Sequence, residues 1–198
     1  MKHKFGFTLA EVLITVGILG VIASFTMPTL INNYRNTARV TALRKFVVEF
    51  ESALDLYMTE KGKTKIAQTG IYNDFDKFIQ DKLSVTKTCN GSACMDSLYK
   101  SISGSSGKYT NDDCKSSYIL SNSMIICANS GLVSVDINGT NPPNTGGRDV
   151  FTLLINPDTA KLIDWCNSGE TCEDLCTKNI YGTGCFQLLK ENNWKIKY

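Results

Sequence analysis

The hydrophobic positions of the chain begin with one continuous apolar run and become periodic only after it. Residues 7–28 read FTLAEVLITVGILGVIASFTMP, and Glu11 is the single charged side chain among them. As a helix, residues 7–31 would extend about 37 Å, which exceeds the roughly 30 Å hydrocarbon core of a bilayer. Pro28 removes one helical hydrogen bond and marks a place for a bend. The run predicts one membrane-spanning helix with some tilt.

The next segment, residues 31–61, keeps a helical period but separates apolar from charged positions. Its apolar side chains recur at steps of three and four residues: Tyr34, Ala38, Leu43, Phe46, Val47, Phe50, Ala53, Leu54 and Tyr57. This spacing predicts an amphipathic helix with one stripe packed on a folded head. Gly62 is the expected stop, because glycine favours the backbone conformation that ends helices. Together the two segments predict one long helix.

After this helix, the pattern predicts a short helix and then a sheet. Phe75, Phe78, Ile79 and Leu83 indicate the short amphipathic helix. A polar region rich in Ser, Thr, Gly and Lys follows up to about Ser117, and we expect it to consist of loops. Four apolar or alternating runs lie at residues 118–128, 132–137, 150–155 and 161–165. They predict a four-stranded antiparallel meander, with one apolar face covered by the amphipathic half of the long helix. The expected fold class is α+β.

Glu11 is the position in the apolar run that most needs an explanation. A carboxylate at the centre of a bilayer costs about 2.5 to 3.5 kcal/mol, so an isolated one indicates a function. A positively charged partner would relieve this cost and fix the axial register of neighbouring helices. The alternative is an ordinary side chain that reaches the membrane interface by snorkelling, since Glu11 lies near one end of the run.

The residues around Glu11 resemble a known signal. A short basic leader, MKHKFG, ends in Gly6 and is followed by Phe7, and Glu11 stands at the fifth position after Gly6. This arrangement is similar to the class III signal of type IV pilins and of the pseudopilins of type II secretion. Pro28 also stands where pilin helices commonly carry a proline. The likeness is specific over residues 1–28 and much looser afterwards, and it implies a pilin-like fold.

The resemblance implies how the N-terminus is processed and used. A prepilin peptidase would cut between Gly6 and Phe7, and the new amine of Phe7 would be N-methylated. In the family, the glutamate that corresponds to Glu11 meets the terminal amine of a neighbouring subunit, so Phe7, Glu11 and Pro28 are the expected assembly residues. The implied organisation is a cleaved leader at 1–6, a transmembrane and filament-core segment at 7–31, and a globular head at 32–198.

Charge and cysteine content narrow the class further. The formal net charge is +2 and the charges are scattered, so no nucleic-acid partner is expected. The cysteines form an even set, as expected for disulfides made outside the reducing cytosol: Cys89, Cys94, Cys114, Cys127, Cys166, Cys172, Cys176 and Cys185. Zinc is the alternative, but the close C-x-x-C pairs typical of structural zinc sites are missing from this sequence. The last four cysteines lie in a segment with little periodicity, residues 166–185, which we expect to be a disulfide-stapled loop. The disulfide pairing stays open.

One loop contains candidate ligands for a metal ion. Residues 139–148, GTNPPNTGGR, are flanked by Asp136 and Asn138 on one side and by Asp149 on the other. Oxygen atoms of this kind are the ligands that calcium prefers. Some pseudopilins hold calcium in a loop of the sheet region. The spacing does not match an EF-hand, and the same residue types form ordinary turns. Calcium is the one cofactor considered, and no other is expected.

The expected function is structural. The single histidine, His3, lies in the leader, and the sequence has no nucleophile elbow or phosphate loop, so an enzyme is not expected. We expect a subunit of a type IV pilus or of a type II secretion pseudopilus that polymerises through its N-terminal helix. The alternative is a minor or tip subunit, an adhesin-like binding module anchored by the same helix.

The resemblance also implies partners and a location. The expected partners are the prepilin peptidase, other pilin or pseudopilin subunits, an inner-membrane assembly platform and membrane lipid. The basic leader would stay in the cytoplasm by the positive-inside bias. We therefore expect a single-pass protein of the bacterial inner membrane with its head in the periplasm, which later enters a filament.

Overall fold

The described part of the chain, given by a computed structural model, comprises residue 6 and residues 8–166 and 170–198. The chain divides into two compact units, Met1–Ala38 and Arg39–Tyr198. One helix, α1 Leu9–Glu60, contributes to both units. It confirms the predicted long N-terminal helix.

In the first unit, the large apolar side chains of α1 are exposed and its hydroxyl groups bond to the helix backbone. Thr15 Oγ1 donates to the Val12 carbonyl at 2.9 Å, and Ser24 Oγ donates to the Val21 carbonyl at 2.7 Å. Such bonds satisfy hydroxyl groups without water, which suits a helix in an apolar environment. By length and composition, α1 can cross a membrane.

Three special residues lie in this part of α1, and the helix continues through all of them. Pro28 stands inside the helix. A Cβ atom built on Gly17 or Gly20 would meet no other atom within 4 Å. The two glycines therefore leave open surface that a neighbouring helix can approach closely.

Within its described residues, the second unit contains three further α-helices and eight strands. The helices are α2 Phe75–Lys82, α3 Cys172–Lys178 and α4 Cys185–Glu191. The strands are β1 Val85–Asn90, β2 Tyr99–Lys100, β3 Ser106–Gly107, β4 Ser116–Leu120, β5 Ile125–Asn129, β6 Leu132–Asp136, β7 Val150–Ile155 and β8 Leu162–Ile163. Six strands form one antiparallel sheet in the order β1-β4-β5-β6-β7-β8, while β2 and β3 form a separate ribbon.

The main core of this unit lies between α1 and one face of the sheet. One stripe of α1 is buried: Val40, Leu43, Phe46, Val47, Phe50, Ala53, Leu54 and Tyr57. These side chains form one cluster with Val133 and Val135 of β6 and with Phe151 of β7. The α+β fold and the covering role predicted for the amphipathic helix are thereby confirmed.

The opposite face of the sheet carries a smaller core. Successive side chains of a strand point to opposite faces, so the neighbours of the main-core residues point here. Cys127 of β5 packs on this side with Tyr99 and Tyr109. Ser134 of β6 and Thr152 of β7 are buried on the same side. Both faces of the sheet are therefore covered, and this second face is partly polar.

The sheet has more strands than the predicted four. The run predicted as one strand at 118–128 consists of β4 and β5, joined by a tight turn in which Ser123 has a φ of 67°. The turn residues are short and polar, but apolar residues flank them closely, so the sequence pattern predicts one continuous strand. The edge strand β1 was predicted as loop because its middle residues are exposed and polar, as edge strands often are.

The end of the chain was predicted as a loop with little periodicity, and it contains α3 and α4. Each helix has seven residues, too few for a helical period to emerge from the sequence. The Cys176–Cys185 disulfide joins the two helices, with a Cα–Cα distance of 4.7 Å. This disulfide stabilises the two short helices, which lack the long apolar stripe of a longer helix.

Candidate assembly site at the start of the long helix

The start of α1 is defined by reciprocal bonds between Thr8 and Glu11. Glu11 Oε2 accepts the Thr8 backbone N–H at 2.7 Å and the Thr8 hydroxyl at 2.9 Å. In return, Thr8 Oγ1 accepts the Glu11 backbone N–H at 3.2 Å. This pattern is a capping box, which satisfies N–H groups that have no partner inside the helix. The carboxylate of Glu11 is thus held at the N-terminal end of α1.

The capping box was missed in the sequence, although its signal was present. Thr8 and Glu11 have the spacing T-x-x-E directly before an apolar run, which is the usual sequence sign of this motif. The prediction considered only the free-energy cost of placing the Glu11 carboxylate in a membrane, and it did not include Thr8. The carboxylate therefore has a role within its own chain as well as the predicted role between subunits.

Of the other predicted residues of this site, the structure describes Gly6 and Pro28. Gly6 is described and exposed, whereas Phe7 lies outside the described residues. The predicted cleavage between them, the methylation of Phe7 and its contact with Glu11 therefore stay predictions. Pro28 lies further along α1, and its predicted role in assembly also stays a prediction.

The predicted calcium ligands Asp136, Asn138 and Asp149 lie close in the fold but mostly have protein partners. Asp149 Oδ1 is 2.7 Å from Arg39 Nε, and Asp136 Oδ2 accepts the Tyr99 hydroxyl at 3.0 Å. Asn138 Nδ2 donates to a neighbouring backbone carbonyl within the turn, while its Oδ1 is buried without a hydrogen-bond partner among the described residues.

The charges of these carboxyl groups are also perturbed. Burial raises the pKa of Asp136 to about 7, although bonds from the Tyr99 hydroxyl and the Asn138 backbone oppose the rise. Burial also raises the pKa of Asp149, against the effect of the Arg39 guanidinium. A calcium ion would have to compete with that guanidinium and with a proton on Asp136. Calcium here stays a prediction, tested by the melting temperature with calcium and with a chelator.

All eight cysteines are in disulfides, and each pairs with a neighbour in sequence. The pairs are Cys89–Cys94, Cys114–Cys127, Cys166–Cys172 and Cys176–Cys185. They support the predicted disulfide framework and resolve the pairing that the sequence left open. Among the described residues, no group of three His, Cys, Asp or Glu side chains is arranged to hold a metal ion.

Comparison with known proteins points to the N-terminal region. The family model described as the prokaryotic N-terminal methylation motif matches residues 1–27. No solved structure matches the chain. The family match therefore covers the predicted leader, the predicted cleavage position, Glu11 and most of the predicted membrane segment.

Several curated relatives are named type II secretion system core protein G. The protein from Vibrio cholerae serotype O1 is 35% identical over 71 residues, covering 36% of this chain and 48% of the relative. The Pectobacterium carotovorum protein is 36% identical over 66 residues, covering 33% and 42%, respectively. The Klebsiella pneumoniae protein is 32% identical over 71 residues, covering 36% and 50%. The chain thus spans about half the length of these relatives. Over its N-terminal region the chain thus matches the prokaryotic N-terminal methylation motif, and it is similar to proteins named type II secretion system core protein G.

Proposed function

We propose that the chain is a structural subunit of a filament assembled at the bacterial inner membrane, most closely a pseudopilin of a type II secretion system. Prepilin peptidase cuts between Gly6 and Phe7, and the Phe7 amine is methylated. The subunit then works by polymerising through α1 and makes no bonds in substrates. The names of the relatives and the methylation motif support this proposal.

The observation that carries the proposal is the exposed apolar surface at the start of α1. The side chains of Leu9, Leu13 and Ile14 are each more than half exposed. In a bilayer this surface faces lipid, and in a filament it faces the same surface of other subunits. The head of the subunit, in the periplasm, would then follow the register that the helices set.

Glu11 supplies the register in this proposal. A free amine on Phe7 and the Glu11 carboxylate of a neighbour would each be costly alone in an apolar bundle, and pairing relieves both costs. A mismatch of one helical turn would leave both charges unpaired. The pair therefore selects one axial position for each new subunit.

Three variants separate this intersubunit role from the capping role of Glu11. Glu11→Ala removes both roles, Glu11→Gln keeps a capping oxygen but removes the charge, and Thr8→Val removes the capping hydroxyl but keeps the charge. We expect both Glu11 variants to stay in the membrane while their filament fraction falls at least tenfold, because an unpaired buried charge costs about 3 to 5 kcal/mol. Thr8→Val should still assemble.

The measurement is the amount of each variant in sheared filaments and in membranes, with the N-terminal mass as a check on cleavage and methylation. Assembly of Glu11→Gln together with failure of Thr8→Val would contradict the proposal. That outcome would mean that the start of the helix, and not the charge, controls incorporation.

A further inference from the structure

A cavity opens on the second face of the sheet, within the second unit. It has a volume of about 220 Å³. Cys127, Ser134 and Thr152 contribute to its lining from three adjacent strands, β5, β6 and β7. Because their neighbours along each strand belong to the main core, the cavity lies across the sheet from α1. It has no part in the proposed assembly through α1.

Aromatic rings form much of the cavity lining. Tyr109 and Tyr181 pack edge to face, with ring centroids 5.0 Å apart and planes at 90°. Tyr109 is in turn packed edge to face on Tyr99, which fixes its position from behind. Trp165 also lines the cavity and is 45% exposed, so its indole is accessible from solvent. An aromatic ring carries negative π density on its faces, so each ring face that borders the cavity can attract a cation.

The charged groups of the lining all have the same sign. Asp112 and Asp113 line the cavity, and among the described residues that line it there is no lysine or arginine. Asp113 Oδ2 accepts the Thr110 backbone N–H at 2.7 Å and the Thr110 hydroxyl at 2.8 Å, which fixes this carboxylate in place. Asp112 is exposed. The cavity therefore combines two carboxylates with aromatic rings.

The buried hydroxyl groups of the lining present acceptors. Thr152 Oγ1 donates to the Tyr181 carbonyl at 2.9 Å, so the 2.6 Å bond between Ser134 and Thr152 uses the Ser134 proton. Both of these protons are thus consumed, and the remaining lone pairs accept. The Tyr109 hydroxyl, also buried in the lining, has no hydrogen-bond partner among the described residues. All three oxygens can therefore accept hydrogen bonds from a ligand that donates them.

We propose that this cavity binds an organic ammonium group, either on a small free amine or on a lysine side chain of a partner protein. Aromatic faces attract such cations, and the attraction grows when the cation is desolvated. The carboxylates add charge complementarity, and the acceptors suit N–H donors. The volume is below the range of about 300 to 1,000 Å³ found for drug-sized ligands, so it suits a small head group.

The proposal is tested by calorimetric titration of the full chain in nonionic detergent. Choline is the cationic probe, and 3,3-dimethylbutan-1-ol, which replaces its nitrogen by carbon, is the matched neutral probe. We expect choline to bind at least tenfold more tightly than the alcohol. Because choline has no N–H group, two further probes separate the sources: ethanolamine, a small primary amine, and N-acetyl-lysine methylamide, which bears a lysine side chain. Tighter binding of the lysine probe assigns the site to a partner's lysine, and tighter binding of ethanolamine assigns it to a free amine.

Two variants locate the binding. Asp112→Asn removes one charge and should weaken choline binding about five- to tenfold, as expected for a partly solvated charge pair. Trp165→Leu should weaken it by a similar factor. Asp81→Asn, which removes an exposed charge outside the cavity lining, is the matched control and should leave binding unchanged.

Four results would overturn the proposal. Three of them are equal binding of choline and its neutral isostere, no binding of any ammonium probe, and choline binding that Asp112→Asn leaves intact. The fourth is binding of a neutral monosaccharide without ammonium binding. None of these results bears on assembly through Glu11, so the two proposals fail separately.

Discussion

At the scale of single residues, a buried carboxyl group couples folding to pH. Asp136 is fully buried and its pKa is raised to about 7. The unfolded chain ionises this group near pH 4, so between about pH 4 and pH 7 the folded state binds more protons than the unfolded state. The contribution of Asp136 to the free energy of unfolding is therefore at its full value below about pH 4 and is lost as the pH rises to about 7.

Asp136→Asn isolates this effect. We expect the wild-type free energy of unfolding, relative to that of Asp136→Asn, to fall by a few kcal/mol from pH 4 to pH 7, since each unit of pKa difference is about 1.4 kcal/mol. Urea titrations across this range provide the measurement. Asp96→Asn is the control, because the pKa of this exposed group is lowered by Lys108 and its removal should not reproduce the trend. Parallel curves for wild type and Asp136→Asn would contradict the assignment.

The residue scale also shows where sequence reasoning reached its limit. Glu11 could be singled out because a lone charge in an apolar run is costly wherever the chain folds. The partners of Asp149 and Asp136 could not, since Arg39 and Tyr99 are far from them in sequence and meet them only in the folded unit. The same holds for Tyr181 and Trp165, which join the cavity from beyond β7.

At the scale of elements, the short helix α4 depends on a side chain from outside it. Gly184, the residue before α4, makes no side-chain cap. Instead Asp164 Oδ1 accepts the Gly184 N–H at 2.7 Å, and Asp164 Oδ2 accepts the Gln187 N–H at 2.9 Å. Burial raises the pKa of Asp164 although these backbone bonds oppose the rise. The carboxyl group ties the end of β8 to the start of α4.

We expect Asp164→Ala to destabilise the fold by about 1 to 3 kcal/mol, because it leaves buried N–H groups without an acceptor. The decrease would be read from urea unfolding at constant pH. Asp158→Ala, in an exposed turn where the side chain pairs with Lys65, serves as the control and should change stability by less than about 1 kcal/mol. An equal effect of the two substitutions would rule out the capping role.

Elements were predictable from sequence in proportion to their length and burial. The long helix was predicted correctly because its apolar run and the helical period that follows it each extend over many turns. The edge strand β1 and the helices α3 and α4 were missed, since their stability comes from pairing and disulfides that leave no local period. The division of 118–128 into β4 and β5 depended on a turn at Ser123 that apolar neighbours concealed.

At the scale of the whole molecule, the proposed role predicts the abundance of the chain in its filament. A structural subunit repeats along the whole filament, whereas a tip or adhesin-like subunit occurs once or a few times. We expect quantitative mass spectrometry of purified filaments to find this chain as a principal component. Recovery at only a few copies per filament would contradict the structural role and favour the tip alternative.

The disulfide pattern has a consequence for how the protein is made. Each bridge closes a segment between successive cysteines, with sequence separations of 5, 13, 6 and 9. No bridge spans another, so in the proposed topology each cysteine meets its partner soon after both have crossed the membrane. The order of synthesis would then be the order of oxidation. In that topology, biogenesis requires an oxidant at the exit side of the membrane and makes little demand on enzymes that reshuffle wrong bridges.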